Sequence, residues 1–136
     1  MKLNCVVVDD SSIQRAIIAK LVNNHPGLHL IGDFSNAIET KNCMSLNNID
    51  LIFLDIEMPD RNGLSVAAEL MLLVPPPAVV FVTAHPQHAL AAYQVAPADY
   101  LLKPISAERL ATSLQRIGLA TKAHLEKQQE QQWISY

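Results

Sequence analysis

Five short apolar runs recur along the chain: Leu3–Val8, Leu28–Ile31, Leu51–Leu54, Ala78–Val82 and Tyr100–Leu102. Three of them are near-continuous and β-branched or Leu-rich rather than alternating, the pattern of strands covered on both faces. Between the runs the apolar period lengthens to that of a helix. Ile13, Ala16, Ile17 and Leu21 mark one predicted helical face, with Ser11 or Ser12 as N-cap. Leu64, Ala67, Ala68 and Met71 mark another, and Ala107, Leu110, Ala111 and Leu114 a third after Ser106. Segment 36–47 is the weakest helix, because its apolar positions share no single face. His25-Pro26-Gly27, Pro75-Pro76-Pro77 and Pro97 break the chain between elements.

Strands alternating with helices imply right-handed crossovers and a parallel sheet with helices on both faces. Five such units predict an α/β protein of the flavodoxin-like (βα)5 type, a doubly wound parallel sheet with strand order 2-1-3-4-5. The length of 136 residues suits one core. Half the residues are hydrophobic and 17% are charged, which excludes a disordered chain.

The net charge of −3 gives no global case for nucleic acid. In the last third, Lys103, Arg109, Arg116, Lys122 and Lys127 are diluted by Glu108, Glu126 and Glu130, so no direct DNA binding by this chain is expected. Cys5 and Cys43 form no framework, and a reduced, cytoplasmic protein is expected. The first apolar run is too short for a signal peptide, and no stretch reaches the ~18 apolar residues of a membrane span. Residues 1–120 are read as the domain. Residues 121–136, charged and Gln-rich, are read as a helix extension or the start of a linker to an output domain not in this chain.

In an open parallel sheet the functional crevice lies beyond the carboxyl ends of the strands. The polar residues there are Asp9 and Asp10, Asp55, Thr83 and Lys103. Taken singly, each has an ordinary explanation as a cap, a turn residue or a solvated charge. Together, three acids at one edge need a positive partner. A hard divalent cation, Mg²⁺ above all, suits such oxygen donors, and Lys103 adds a second positive charge. A cation, an ammonium and a hydroxyl around a carboxylate form a site for a phosphoryl group.

Val6-Val7-Val8-Asp9-Asp10, Leu54-Asp55-Ile56-Glu57-Met58-Pro59 with Gly63, Val82-Thr83-Ala84 and Asp99-Tyr100-Leu101-Leu102-Lys103-Pro104 resemble the receiver domain of two-component response regulators, over residues 2 to about 120. Thr83-Ala84-His85, Ala89-Leu90, Ala92-Tyr93 and the stretch to Ile105 further resemble receivers of the LytTR (LytR/AlgR-type) subfamily. The resemblance implies that Asp55 accepts a phosphoryl group from a sensor histidine kinase and that the chain is a signalling module, not an enzyme acting on a separate substrate. It implies Mg²⁺ held by Asp10 directly, by Asp9 mainly through water, by Asp55, and by the main-chain carbonyl of Glu57. Thr83, the amide of Ala84 and Lys103 would hold phosphoryl oxygens. Thr83 and Tyr100 would form the switch. Pro59, Gly63 and Pro104 would be structural, Pro104 through a cis Lys103-Pro104 bond. Output would be transcription through a LytTR DNA-binding domain not in this chain, with homodimers forming through the fourth helix, fifth strand and fifth helix.

Two rivals fit less well. A haloacid-dehalogenase-type phosphatase would want its aspartate pair on the first strand, with Asp rather than Glu two residues on. A dinucleotide-binding module would want G-x-G-x-x-G where Asp9-Asp10-Ser11-Ser12 stands. Glu57 and His85 are possible modulators at the site edge, His85 being equally readable as an N-cap. His25 and His88 are assigned to the surface, Tyr93 to half-buried packing, and Trp133 to a missing neighbour.

Overall fold

The structure, a computed structural model, describes residues 2–46 and 48–118. The expectations for Trp133 and for segment 121–136 lie outside the described residues. Two compact units are present, Met1–Ile105 and Ser106–Tyr136. The first runs β1 (Leu3–Val8), α1 (Ser12–Asn23), β2 (Leu28–Phe34), α2 (Ala37–Leu46), β3 (Leu51–Leu54), α3 (Gly63–Leu70), β4 (Ala78–Thr83), a 3₁₀ turn (Pro86–His88), α4 (Ala89–Tyr93) and β5 (Asp99–Leu102). The second contains a helix over 107–118, here α5, whose first turn is capped by Ser106 Oγ accepting from Arg109 N at 3.0 Å. All strand pairs are parallel, in the order β2-β1-β3-β4-β5. This is the flavodoxin-like doubly wound sheet.

The central strands alternate between two buried faces. Val6 and Val8, Ile52 and Leu54, and Val79 and Phe81 join Ala37, Val66, Ala67, Leu70 and Ala92 in one core, beneath α2, α3 and α4. Cys5, Val7, Leu51, Phe53, Val80 and Val82 are buried on the opposite face, where α1 packs along β1 and β2. Every residue of β3 is fully buried, so Asp55 is pushed out at the end of a strand that has no solvent-facing side. β2 extends past the predicted Ile31 to Phe34. As an edge strand it needs no continuous apolar run, and Gly32 and Asp33 are accommodated there.

The face of α1 differs from expectation. Ile18 and Val22 are the buried positions, while Ile13 and Ile17 are 71% and 48% exposed. The helix carries two apolar stripes, and its end anchors, described below, select the second. Within α3 the buried set is Gly63, Val66, Ala67 and Leu70, so Ala67 holds and Ala68 turns outward. α2 forms although its apolar pattern is poor. Its inner face includes Thr40, whose hydroxyl donates to the Asn36 carbonyl at 2.8 Å and so enters the core with its polar group satisfied. Tyr93 is not half-buried but 69% exposed, because Ala92 is the α4 residue that turns into the core.

Candidate functional site

The ends of β1, β3, β4 and β5 bring the predicted polar residues together. Asp9, Asp10 and Asp55 each offer a carboxylate oxygen within 4.8 Å of the others. Asp9 and Asp55 are buried and Asp10 is exposed. Lys103 reaches back from the end of β5, its Nζ donating to Asp9 Oδ2 at 2.6 Å and to Asp55 Oδ2 at 3.3 Å. The Lys103-Pro104 peptide is cis. Asp55 Oδ1 accepts from the Glu57 amide at 3.3 Å, and Asp9 Oδ1 from the Ser11 amide at 2.9 Å.

Burial pushes the Asp55 carboxyl above its usual range, and the nearby Asp9 charge acts in the same direction. Lys103 pulls it part of the way back. For Lys103 burial works downward, but hydrogen bonding to Asp9 and the charges of Asp55 and Asp9 together hold its ammonium above the ordinary value. The lysine is therefore firmly cationic in a pocket where acids outnumber it.

Gly63 opens α3 beside Asp55, and its amide donates to the Ile56 carbonyl at 2.6 Å. A Cβ at Gly63 would run into the Asp55 carbonyl oxygen and stand 2.8 Å from the Ile56 Cα. Only glycine allows this close approach. Pro59 is exposed in the same loop, and Pro104 is exposed after Lys103.

Thr83 is fully buried at the end of β4, and Ala84 beside it is exposed. Thr83 Oγ1 accepts from the His85 amide at 3.2 Å, while Tyr100 Oη donates to the His85 carbonyl at 2.6 Å. Thr83 and Tyr100 thus grip the two sides of one residue. The Tyr100 ring, tilted against Phe81 at 6.4 Å, is partly desolvated, which raises its phenol.

The side chain of His85 makes no capping bond; it lies 2.9 Å from Glu57 Oε2. His88, assigned to the surface, keeps a side chain 25% exposed, and its Nε2 stands 3.0 Å from Glu57 Oε1 in an exposed contact at the site edge. That hydrogen bond, more than the nearby imidazole charges, holds the Glu57 carboxyl below its usual range. A cavity of about 310 Å³ between α2 and α3, lined by Lys41, Met44, Ser45, Glu69, Leu70 and Leu73, shares no residue with this edge.

Residues 5–115 match the family model described as the response regulator receiver domain. The chain belongs to that family. Among relatives of this receiver domain, "Transcriptional regulatory protein LytR" of Staphylococcus aureus is 33% identical over 121 residues, 89% of this chain and 49% of that protein. "Positive alginate biosynthesis regulatory protein" of Pseudomonas aeruginosa is 37% identical over 124 residues, 90% of this chain and 50% of that protein. The receiver domain therefore spans about half the length of the curated relatives it matches. The crystal structure of the response regulatory domain of MrkE from Klebsiella pneumoniae superposes with a TM-score of 0.81 at 28% identity, covering 89% of this chain and 99% of that one. These relatives are response regulators of the LytR/AlgR type, as the sequence resemblance implied.

Of the residues named from the sequence, Asp9, Asp10, Asp55 and Lys103 meet at this edge, with Glu57 and Gly63 against Asp55, while Thr83 and Tyr100 meet at His85. Arg15 was not among them. Its side chain crosses from α1 to the Asp9 carbonyl and to Asp33, and a lone arginine inside a helical stretch gives no sign of that in sequence. The link between His88 and Glu57 likewise joins residues 31 positions apart.

Proposed function

We propose that this receiver domain takes a phosphoryl group from the phosphohistidine of a sensor histidine kinase onto Asp55 and relays its arrival to an output. The observation that supports this most strongly is the buried Asp55 carboxylate between Lys103 and the Asp9-Asp10 pair. The donor set of three carboxylates and the Glu57 main-chain carbonyl is all oxygen, the chemistry of a site for Mg²⁺. Asp10 and Asp55 would hold the ion directly and Asp9 mainly through water. When bound, Mg²⁺ neutralises charge on the phosphoryl oxygens.

Asp55 attacks phosphorus in line through a carboxylate oxygen. The new O–P bond forms as the P–N bond to the donor imidazole breaks, and that imidazole nitrogen regains a proton from solvent. Lys103, already beside Asp55, pairs with one phosphoryl oxygen, while the Thr83 hydroxyl and the Ala84 amide take others. Placement and charge do most of the work. The product adds about −2 of charge and new acceptors. The Thr83 hydroxyl, which already accepts from the His85 amide, would in that state also donate to a phosphoryl oxygen, drawing on the same His85 residue that Tyr100 holds. Phosphorylation therefore biases the segment after β4.

By analogy with the named transcriptional regulator, the output is transcription, carried by a LytTR-type DNA-binding domain, with residues 1–136 making no specific DNA contact of their own. Leu90 and Tyr93 on α4 and Leu102 on β5, exposed by 84%, 69% and 47%, support a homodimer through the α4–β5 surface, with α5 the third element of that assignment. Sedimentation should show the dimer strengthened by beryllofluoride, and an unchanged monomer fraction would remove that part of the reading. For the acceptor itself, the chain is incubated with phosphoramidate and Mg²⁺ and reduced with borohydride, which converts an aspartyl phosphate to homoserine. Peptide mapping should place homoserine at position 55. Homoserine at another aspartate, or none, would overturn the assignment.

A further inference from the structure

Arg15 touches none of the carboxylates of the acidic cluster, yet it holds the peptide on which two of them hang. Its Nη1 donates to the main-chain carbonyl of Asp9 at 2.9 Å, and its Nε donates to Asp33 Oδ1 at 3.0 Å. The Asp9 amide on the other side donates to the Phe34 carbonyl at 3.0 Å, and Asp9 Oδ1 is taken by the Ser11 amide. One guanidinium therefore joins α1, the end of β1 and the end of β2, where Val7 pairs with Asp33 and Val8 with Phe34. The same residue lies on the inward side of α1, three and seven positions before the buried Ile18 and Val22. Its side chain is 21% exposed.

The consequence is geometric. A peptide unit is planar, so fixing the Asp9 carbonyl oxygen also fixes the Asp10 nitrogen and Cα. The Asp10 side chain leaves from that Cα, at the exposed corner of the cluster. We propose that Arg15 is a positioning residue for the metal: by clamping the Asp9–Asp10 peptide plane against Asp33, it sets the direction from which the Asp10 carboxylate meets Mg²⁺. This inference rests on the Mg²⁺ reading given above. A fork with separate donors can satisfy the carbonyl and the carboxylate together, which a single ammonium does less well. Partners of this kind behind a ligand are worth ten- to a hundredfold in metal affinity.

The sign of the effect separates positioning from charge. Deleting a cation near an acidic site would, on charge alone, tighten Mg²⁺ binding; losing the clamp loosens it. The test titrates Mg²⁺ into the whole 136-residue chain by calorimetry, and follows the Asp10 amide by nitrogen-15 NMR. Wild type is compared with Arg15→Gln, Arg15→Lys, Asp33→Asn and the double variant Arg15→Gln/Asp33→Asn, each checked for folding by its urea midpoint. Mg²⁺ affinity should be about tenfold lower in Arg15→Gln and lowered in Arg15→Lys despite its retained charge. The loss should be smaller in Asp33→Asn, and the double variant should be no weaker than Arg15→Gln. Should Arg15→Gln not fold, Arg15→Lys and Asp33→Asn carry the same test. A folded Arg15 variant that binds Mg²⁺ as tightly as wild type, or more tightly, overturns the inference even if its urea midpoint falls. Failure of wild type to bind Mg²⁺ at all would instead overturn the metal reading, and this inference with it.

Discussion

At the scale of single residues, the acidic corner depends on atoms that approach more closely than ordinary side chains allow. Gly63 is the clearest case. Its missing Cβ leaves room for the Asp55 carbonyl, and the backbone rather than a flexible side chain is what a methyl group would strike. Gly63→Ala should therefore lower stability by about 1–3 kcal/mol or more in urea unfolding, whereas an unchanged midpoint would show that the loop yields freely. Cys5 shows burial acting on a titratable group. Burial, with the Asp50 charge adding to it, pushes its thiol up from 9.0 to about 12. Its folded value is raised, so the stability it contributes is complete below pH 9 and is lost as pH rises toward 12. Cys5 should thus resist iodoacetamide at pH 8.5 in the folded protein and react after unfolding. Rapid native alkylation of Cys5, read by peptide mapping, would contradict this.

At the scale of elements, the choice between the two apolar stripes of α1 shows where sequence reading stops. Ile13, Ala16, Ile17 and Leu21 and the pair Ile18 and Val22 are both regular enough to face a sheet. The reach of Arg15 to the Asp9 carbonyl and to Asp33 fixes the rotation, and these are tertiary contacts. Ile18→Ala should cost about 2–5 kcal/mol, against less than about 0.5 kcal/mol for Ile13→Ala. Equal losses in chemical denaturation would show that both stripes are used.

The strands were far more legible. β1 and β3 have the bounds expected from their apolar runs, because central parallel strands are buried on both sides and must be apolar throughout. The edge strand β2 and helix α2 were less so, since Asp33 and Thr40 interrupt the pattern while Asp33 pairs with Arg15 of α1 and Thr40 donates to the nearby Asn36 carbonyl. Tyr93 fails for the opposite reason. An aromatic ring in an apolar stretch reads as packing, but on the five-residue α4 the inward position belongs to Ala92.

At the scale of the whole molecule, the fold brings the ends of four distant strands, β1, β3, β4 and β5, to one acidic edge. The acids, the hydroxyl and the lysine were readable because each follows a strand, and parallel strands end on one edge. What lay hidden was the second layer around them: Arg15 behind Asp9, and His85 and His88 across Glu57. No spacing rule links those pairs. Whether this edge makes Asp55 a Mg²⁺-dependent phosphoacceptor is read directly by intact-mass analysis after incubation with acetyl phosphate. The wild-type chain with Mg²⁺ should gain the mass of one phosphoryl group, while the wild type with chelator and Asp55→Asn with Mg²⁺ should gain none. Equal labelling of the wild type and Asp55→Asn, or labelling that persists in chelator, would contradict it.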